Sequence, residues 1–349
     1  MIFKMSDKVS NDMNEKMSQN DNDSLPYAFI DSTIKDNPML GFPDDFIELM
    51  SGYFRMVTWN DVQREKSISE KVVAGFVRPP THKSLQDNLH IFKNLKVIAN
   101  FGVGVDHIKI PLYTEKGIKV ANTPDVLAPC VADMGLMLIL ATARNLKTAM
   151  AEACAPSLPN NSFNGNALGV DVCEATLGII GMGSIGYKIA QRAKGFDMKI
   201  LYYNRSRRPE EIENSVGATF VPKLHDLLPQ CDFVVVICPL SAETKGLIGA
   251  EEFNLMKPTA TIVNIARGGV IDTEALVAAL KEKKIRGAGL DVTDPEPLPR
   301  GHVLFDFPNV IVTPHHASAT VQTRMKMARL MLANVLACLE GRPMPTPVN

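Results

Sequence analysis

The stretch TLGIIGMGSIG, residues 176–186, runs from an apolar, β-rich segment into a glycine-rich turn, and SIGYKIAQRAKG then has the pattern of an amphipathic helix. A glycine-rich turn by itself says little. Between a strand and a helix, each glycine of G-x-G-x-x-G has a separate task. Gly181 makes the tight turn, Gly183 lets a pyrophosphate approach the main chain, and Gly186 lets helix and strand pack closely. The free N–H groups at the start of the helix then suit phosphate. The segment therefore reads as the opening of a dinucleotide-binding unit.

Working outward, TLGIIG, KILYY, FVVVIC, TIVNI, GAGLDV and NVIVTP read as strands, with amphipathic segments such as DTEALVAALKEKK between them. Continuous apolar strands alternating with helices indicate a parallel sheet covered on both faces. From about Leu25 to Ile110 the pattern recurs more loosely. YAFID, VVAGFV and LKVIAN are strand candidates there, and PDDFIELMSGYF and THKSLQDNLHIFKN are helical ones. The fold class expected is α/β, with two Rossmann-like or flavodoxin-like domains built on parallel sheets and the active-site cleft between them. The prolines of NTPDVLAP suit a crossing between domains. VADMGLMLILATA falls short of the roughly 20 residues that span a bilayer and contains Asp133, so it reads as a helix buried on several sides. TVQTRMKMARLMLANVLACLEG reads as a long helix ending at Gly341, and periodicity does not say where it packs.

The totals agree with this outline. A chain of 349 residues suits two domains, and 46% hydrophobic with 21% charged residues is ample for packed cores. A formal charge of −1 argues against a nucleic-acid partner. None of the six cysteines forms a CxxC pair, so no metal site is expected and the thiols read as reduced and intracellular. The first 24 residues are polar, lack the apolar stretch of a secretory signal, and carry acidic residues foreign to a transit peptide. They read as a disordered tail. A cytoplasmic protein without a membrane partner is expected.

A second glycine pair, in NFGVGVDHI, has His107 where a third glycine would stand; it suits a small anion better than a dinucleotide. An NAD enzyme should end its second strand in an acid that grips the ribose hydroxyls. KILYY instead leads into Asn204-Arg205-Ser206-Arg207-Arg208. Arginines suit a 2′-phosphate through forked, charge-assisted hydrogen bonds, so NADP(H) is expected in preference to NAD(H).

Ligands of open parallel sheets bind beyond the carboxyl ends of the strands. That rule gathers Arg267 after TIVNI, Glu296 after GAGLDV and His315 after NVIVTP on the edge that carries the glycine loop. Singly, each has a plain alternative: a strand-end cap, a solvated acid, a core histidine. Together they suit a ketone that bears a carboxylate. Arg267 can hold the carboxylate in bidentate fashion, and Glu296 can fix the tautomer of the imidazole. His315 can protonate the oxygen as hydride reaches carbon, help worth about 10²–10⁴ in rate.

NFGVGVD, NTPDVL, GMGSIG, NIARGGVID, GLDVTDPEP and TPHHASAT together resemble the D-isomer-specific 2-hydroxyacid dehydrogenases, from about Leu25 to the C-terminus. Within the family, GLDVTDPEPLPRGHVLF and GRPMPTP look most like glyoxylate/hydroxypyruvate reductases. The resemblance implies a catalytic triad of Arg267, Glu296 and His315. It implies that Val103 and Gly104 offer main-chain donors to a substrate carboxylate and that Val77 or Arg78 lines the pocket. The family's cofactor pattern maps onto Gly183, Ser184, Ile185, Arg205, Ser206, Pro239, Thr244, Ala266, Asp291 and Ser318. It further implies a homodimer that buries the helix around Val131–Leu146. The domains expected are residues 25–122 with 318–349 for substrate and 123–317 for the dinucleotide.

His315 aligns with the family's catalytic position. His316 takes a place usually apolar, and in extended chain its side chain would point away from that of His315. The arm EACAPSLPNNSFNGNALGVDVCEA departs from the family, and the only tryptophan is Trp59, in the first domain. Glyoxylate, hydroxypyruvate and 2-ketogluconate all remain open as substrates. A different class also shares this fold and triad: dinucleotide-sensing transcriptional corepressors that bind peptide motifs.

Overall fold

The computed structural model describes residues 24–30, 44–78, 83–155 and 168–349. Residues 1–23 of the expected N-terminal tail, and residues 156–167 of the arm that departs from the family, lie outside the described residues. The chain divides into two compact units, Met1–Leu127 with Ala319–Asn349, and Ala128–Ser318. The first crossing falls within NTPDVLAP. Both units are α/β with wholly parallel sheets.

The first unit holds β1 (Tyr27–Ile30), β2 (Arg55–Val57), β3 (Val72–Val77), β4 (Val97–Asn100) and β5 (Lys119–Ala121). They lie in the order β2-β1-β3-β4-β5. Alternate residues serve opposite faces, as the pleat requires. Ala28, Ile30, Ala74, Phe76, Val97 and Ala99 pack on one side, where the helix Val321–Leu339 contributes Ala328, Met331, Leu332 and Val335. Phe29, Val77 and Ile98 pack on the other with Leu85 and Phe92. That long helix starts at the cap Thr320, whose side chain accepts the N–H of Thr323. Beyond it the chain closes the sheet edge, with the Val120 N–H donating to Asn349 Oδ1 at 2.7 Å.

The second unit holds β6 (Thr176–Ile180), β7 (Lys199–Tyr203), β8 (Ala218–Phe220), β9 (Phe233–Val236), β10 (Thr261–Asn264), β11 (Gly287–Leu290) and β12 (Val310–Val312). Their order is β12-β11-β10-β9-β6-β7-β8, so the winding reverses between β6 and β9. Such a reversal opens a crevice beyond the strand ends. Helix Ala128–Ala143 packs against helix Ser184–Lys194 and against β10 and β11. Close packing leaves no room for a side chain at Gly178, where a Cβ would stand 2.5 Å from Cys231 Sγ and 2.8 Å from Leu227 Cδ2. Burial pushes the Cys231 thiol up to about 12, so it behaves as a small apolar group. Among the described residues, no helix is long and apolar enough to cross a membrane.

Two expectations need correction. THKSLQDNLHIFKN is not one helix: within its described part, Lys83–Asp87 is α-helical and Leu89–Ile91 is a 3₁₀ turn. The helix that the resemblance carries to Leu146 ends at Ala143, where the apolar run ends, and a new helix begins at Leu146 after Asn145, whose φ is 48°. Strands β2, β5 and β8, three-residue sheet edges, escape the sequence pattern because each carries only two apolar residues. The equally short edge strand β12 is legible because all three of its residues, Val-Ile-Val, are apolar and β-branched.

Gly178→Ala should lower stability by about 1–3 kcal/mol, because the added methyl overpacks a buried contact. Urea unfolding followed by circular dichroism measures the loss, and an unchanged midpoint would contradict the packing described.

Candidate active site

The residues assigned to a dinucleotide lie at strand ends along one edge of the seven-stranded sheet. Gly181 has φ +111°, and a Cβ there would stand 2.7 Å from the Cys238 nitrogen, so the turn presses against the chain leaving β9. A Cβ on Gly183 would meet nothing within 4 Å, which leaves the main chain open to a ligand. A Cβ on Gly186 would stand 2.2 Å from the Gly181 oxygen, the close contact of helix with strand. Helix Ser184–Lys194 has Gly183 as its N-cap and no side-chain cap, so the first-turn N–H groups of Ser184, Ile185 and Gly186 are offered to whatever binds there. These features fit a dinucleotide pyrophosphate. Nearby, Thr244 Oγ1 donates to the Pro239 oxygen at 2.6 Å and ties the turn after β9. Ala266 follows β10, its N–H held by Asn264 Oδ1 at 3.0 Å.

The tip of β7 divides its basic residues between two tasks. Asn204 Oδ1 accepts the Met182 N–H at 2.8 Å, which joins this tip to the glycine loop. Arg207 is held by Glu213 through Nε and Nη2, the latter at 2.7 Å. The Tyr202 hydroxyl donates to Glu213 at 2.6 Å and accepts the Arg208 N–H at 2.8 Å. Burial, followed by the bond to Glu213, pushes this phenol up to about 12. Arg207 is therefore tied down by this ion pair although it is exposed, and Arg205, Ser206 and Arg208 are the other exposed polar groups of the tip. The charge of Arg205 reaches Glu243, whose carboxyl is lowered chiefly by the Ser241 hydroxyl.

The three residues expected to carry chemistry come together in this unit. His315 Nδ1 lies 2.6 Å from Glu296 Oε1, with the side chains 41% and 39% exposed. An ionised carboxylate only accepts, so Nδ1 carries the proton shared with Glu296. Burial alone would raise the Glu296 carboxyl. The hydrogen bond and charge of His315, with smaller help from the Thr293 N–H and Arg267, outweigh it and hold the group below the usual carboxylate range. Arg267 sits half-buried beside a tight crossing, since a Cβ on Gly268 would overlap the Thr293 carbonyl. Its own carbonyl accepts from Asn264 Nδ2 at 2.9 Å.

His315 is not in extended chain; its φ is 54°, which corrects the side-chain alternation expected for the histidine pair. A left-handed non-glycine residue costs roughly 1–3 kcal/mol and persists only where its surroundings fix it. Asp291, 1% exposed, supplies that constraint. Its Oδ1 accepts from Thr313 Oγ1 at 2.6 Å and from the His316 N–H at 2.8 Å. Its Oδ2 accepts the Ala317 N–H at 2.9 Å, next to Ser318. The His315 N–H donates to the Asp291 carbonyl at 2.8 Å. The motif GLDV drew attention to Asp291 as a cofactor contact, but nothing in the sequence revealed its hold on the histidine loop.

In the first unit, Val77 and Arg78 end β3, and Val103 and Gly104 follow β4. The Val77 side chain is wholly buried in the core, so of that pair Arg78 is the one open to solvent. Val103 is 37% exposed.

A family model described as D-isomer specific 2-hydroxyacid dehydrogenase, NAD binding domain, matches residues 136–317. The glyoxylate reductase of Thermococcus onnurineus (strain NA1) is 43% identical over 317 residues, covering 88% of this chain and 93% of the relative. The crystal structure of the NADPH-dependent glyoxylate/hydroxypyruvate reductase of Sinorhizobium meliloti, in complex with NADP and malonate, is similar at TM-score 0.81 and 31% identity, over 93% of this chain and 97% of that one. Holo D-mandelate dehydrogenase of Rhodotorula graminis is similar at TM-score 0.79 and 28% identity, over 93% and 98%.

The Glu213 carboxyl is held below the usual range, first by the Arg207 hydrogen bond and then by Tyr202. A depressed acid contributes stability above its unfolded pKa and loses it as pH falls through the lowered folded value. Glu213→Gln should therefore melt below the wild type at neutral pH, with the gap closing in acid. Thermal unfolding across a pH series checks this.

Proposed function

The chain belongs to the D-isomer specific 2-hydroxyacid dehydrogenase family, and we propose that within it the protein reduces small 2-oxo acids of the glyoxylate or hydroxypyruvate type to D-2-hydroxy acids, with NADPH as donor. The observation that carries this reading is the 2.6 Å contact of Glu296 with His315, on the sheet edge that bears the glycine loop and Arg267. When bound, the reduced dinucleotide supplies hydride to the carbonyl carbon. His315 gives a proton from Nε2 to the carbonyl oxygen, so the ketone gains hydride and proton and becomes an alcohol. Glu296 keeps Nδ1 protonated and the ring oriented, and it offsets the positive charge of the imidazolium before transfer. Arg267 pairs with the carboxylate and draws electron density from the carbonyl next to it. In the reverse direction His315 accepts the proton.

Preference for NADPH rests on the absence of an acid at the β7 tip and the presence there of Arg205 and Ser206. The Sinorhizobium meliloti relative, named as NADPH-dependent, agrees with it. A homodimer is proposed from the helix Ala128–Ala143, whose outer side forms an apolar groove lined by Leu136, Met137, Leu140, Ala141, Leu146 and Phe196. Met137 is 39% exposed and Leu146 43%, an apolar surface of the kind that marks a protein contact.

Oxidation of NADPH and NADH should be followed with glyoxylate, hydroxypyruvate and 2-ketogluconate. Turnover is expected with NADPH well ahead of NADH, and Arg205→Ala should erase most of that preference. Cofactor binding without turnover of any acid would overturn the enzymatic reading in favour of a dinucleotide sensor. His315→Asn should lower kcat by about 10²–10⁴ while leaving NADPH affinity nearly unchanged. Met137→Glu should shift the protein from dimer to monomer in light scattering after gel filtration. A wild-type monomer would overturn the assembly.

A further inference from the structure

The loop after β4 is built around a side chain that the reaction scheme leaves unused. Asn100, the last residue of the strand, is fully buried. Its Nδ2 donates to the Gly102 oxygen at 3.1 Å and to the Gly104 oxygen at 3.0 Å. Its Oδ1 lies 3.0 Å from His107 Nε2; a carboxamide oxygen only accepts, so the ring donates and fixes which way the amide faces. Between the two carbonyls held by Asn100, the Val103 oxygen accepts from Asn122 Nδ2 at 2.8 Å. Three successive carbonyls are thus turned toward side-chain amides.

In a trans peptide the N–H points opposite to the C=O of the same plane. Fixing the carbonyls of Gly102, Val103 and Gly104 therefore sends the N–H groups of Val103, Gly104 and Val105 to the other side of the loop. Among the described residues none of these three N–H groups makes a backbone or side-chain hydrogen bond, whereas the Gly102 N–H is taken up by the buried Thr123 Oγ1 at 3.0 Å. Gly102 has φ +146°, a conformation open only to glycine, and it starts the turn that makes this arrangement possible. Successive main-chain N–H groups facing one way form a concave anion site.

We propose that Asn100, assisted by Asn122, is a positioning residue that orients the Val103–Val105 N–H groups to receive the carboxylate of the 2-oxo acid. The inference deepens the function proposed above and rests on it for the identity of the acid. Asn100 does not touch the ligand; it acts through the carbonyls of the loop. Losing it leaves the Gly102 carbonyl held by the Thr123 N–H alone and the Gly104 carbonyl without its side-chain amide, so the Gly104–Val105 peptide can rotate and scatter the donors, which weakens ground-state and transition-state binding alike. Such a loss raises KM and leaves kcat nearly intact.

The test uses the full chain with three variants: Asn100→Asp, which keeps the shape but turns oxygen toward two carbonyls, Asn100→Ala, and Asn122→Ala on the more exposed side. KM and kcat are measured with glyoxylate and hydroxypyruvate at saturating NADPH. Affinity for oxalate, a dicarboxylate probe, is measured by calorimetry on the NADP-loaded protein, and NADPH affinity by fluorescence. Expected are a rise of about tenfold or more in KM and oxalate Kd for the Asn100 variants and a smaller rise for Asn122→Ala. The change in kcat should stay within about threefold, with NADPH affinity unchanged. Unchanged KM and oxalate Kd in a turning-over enzyme would overturn the inference. So would parallel losses in kcat and NADPH affinity in all three variants, which mark general damage. If the wild type turns over no 2-oxo acid yet binds oxalate in a manner that depends on Asn100, the reductase reading falls and the positioning role stands. A wild type that neither turns over nor binds oxalate overturns both.

Discussion

Every ladder between the strands is parallel, and the site depends on that constraint. In a parallel sheet all strands deliver their carboxyl ends to the same edge, so residues far apart in sequence reach one rim without any loop having to cross the sheet. Gly181, Ala266, Asp291 and Thr313 each stand just past the end of a neighbouring strand in the β12-β11-β10-β9-β6 part of the order. The register is even along that path, with Thr261 beside both Gly287 and Phe233. The reversal of winding at β6 and β9 then leaves the glycine loop uncovered, because the connections leave it on opposite sides.

A parallel edge also creates a difficulty. Where a strand ends, its backbone groups lose their ladder partners, yet they must still be satisfied if buried. This chain repeatedly places a buried polar side chain at or next to that point. Asn264 ends β10 and holds both the Ala266 N–H and the Arg267 carbonyl. Asp291 follows β11 and holds the loop from Thr313 to Ala317. Asn100 ends β4 and holds Gly102 and Gly104. At β7 the same task falls to Tyr202 with Glu213. The residues proposed to carry the chemistry thus stand on loops whose main chain is fixed from beneath. That is how a half-exposed histidine can keep a left-handed backbone and a 2.6 Å contact with its acid.

This division of labour also separates residues that resemble each other in sequence. Arg205 and Arg207 stand two apart in one basic turn and both are exposed, yet Arg207 is bound to the buried acid Glu213. His315 and His316 are adjacent and both exposed, yet it is the His315 ring that meets a carboxylate, while His316 meets one only through its main-chain N–H. In both pairs the difference comes from a partner distant along the chain or across a turn, which residue type does not record.

The sequence by itself determined the α/β class, most of the strands, the glycine loop and the placing of Arg267, Glu296 and His315 beyond neighbouring strand ends. Period, glycine spacing and strand ends are local properties, and a parallel sheet converts them into position by one rule. The edge strands β2, β5 and β8 escaped because only two of their three residues are apolar, whereas β12, as short, is apolar throughout. Tertiary structure alone decided that Asp291 holds the histidine loop, that Glu213 takes Arg207 and that Val77 belongs to the core. Each of these is a pairing between groups whose separation in sequence carries no signal. A buried donor or acceptor is satisfied by whichever partner folding brings within about 3 Å, and that partner is known only once the chain has closed.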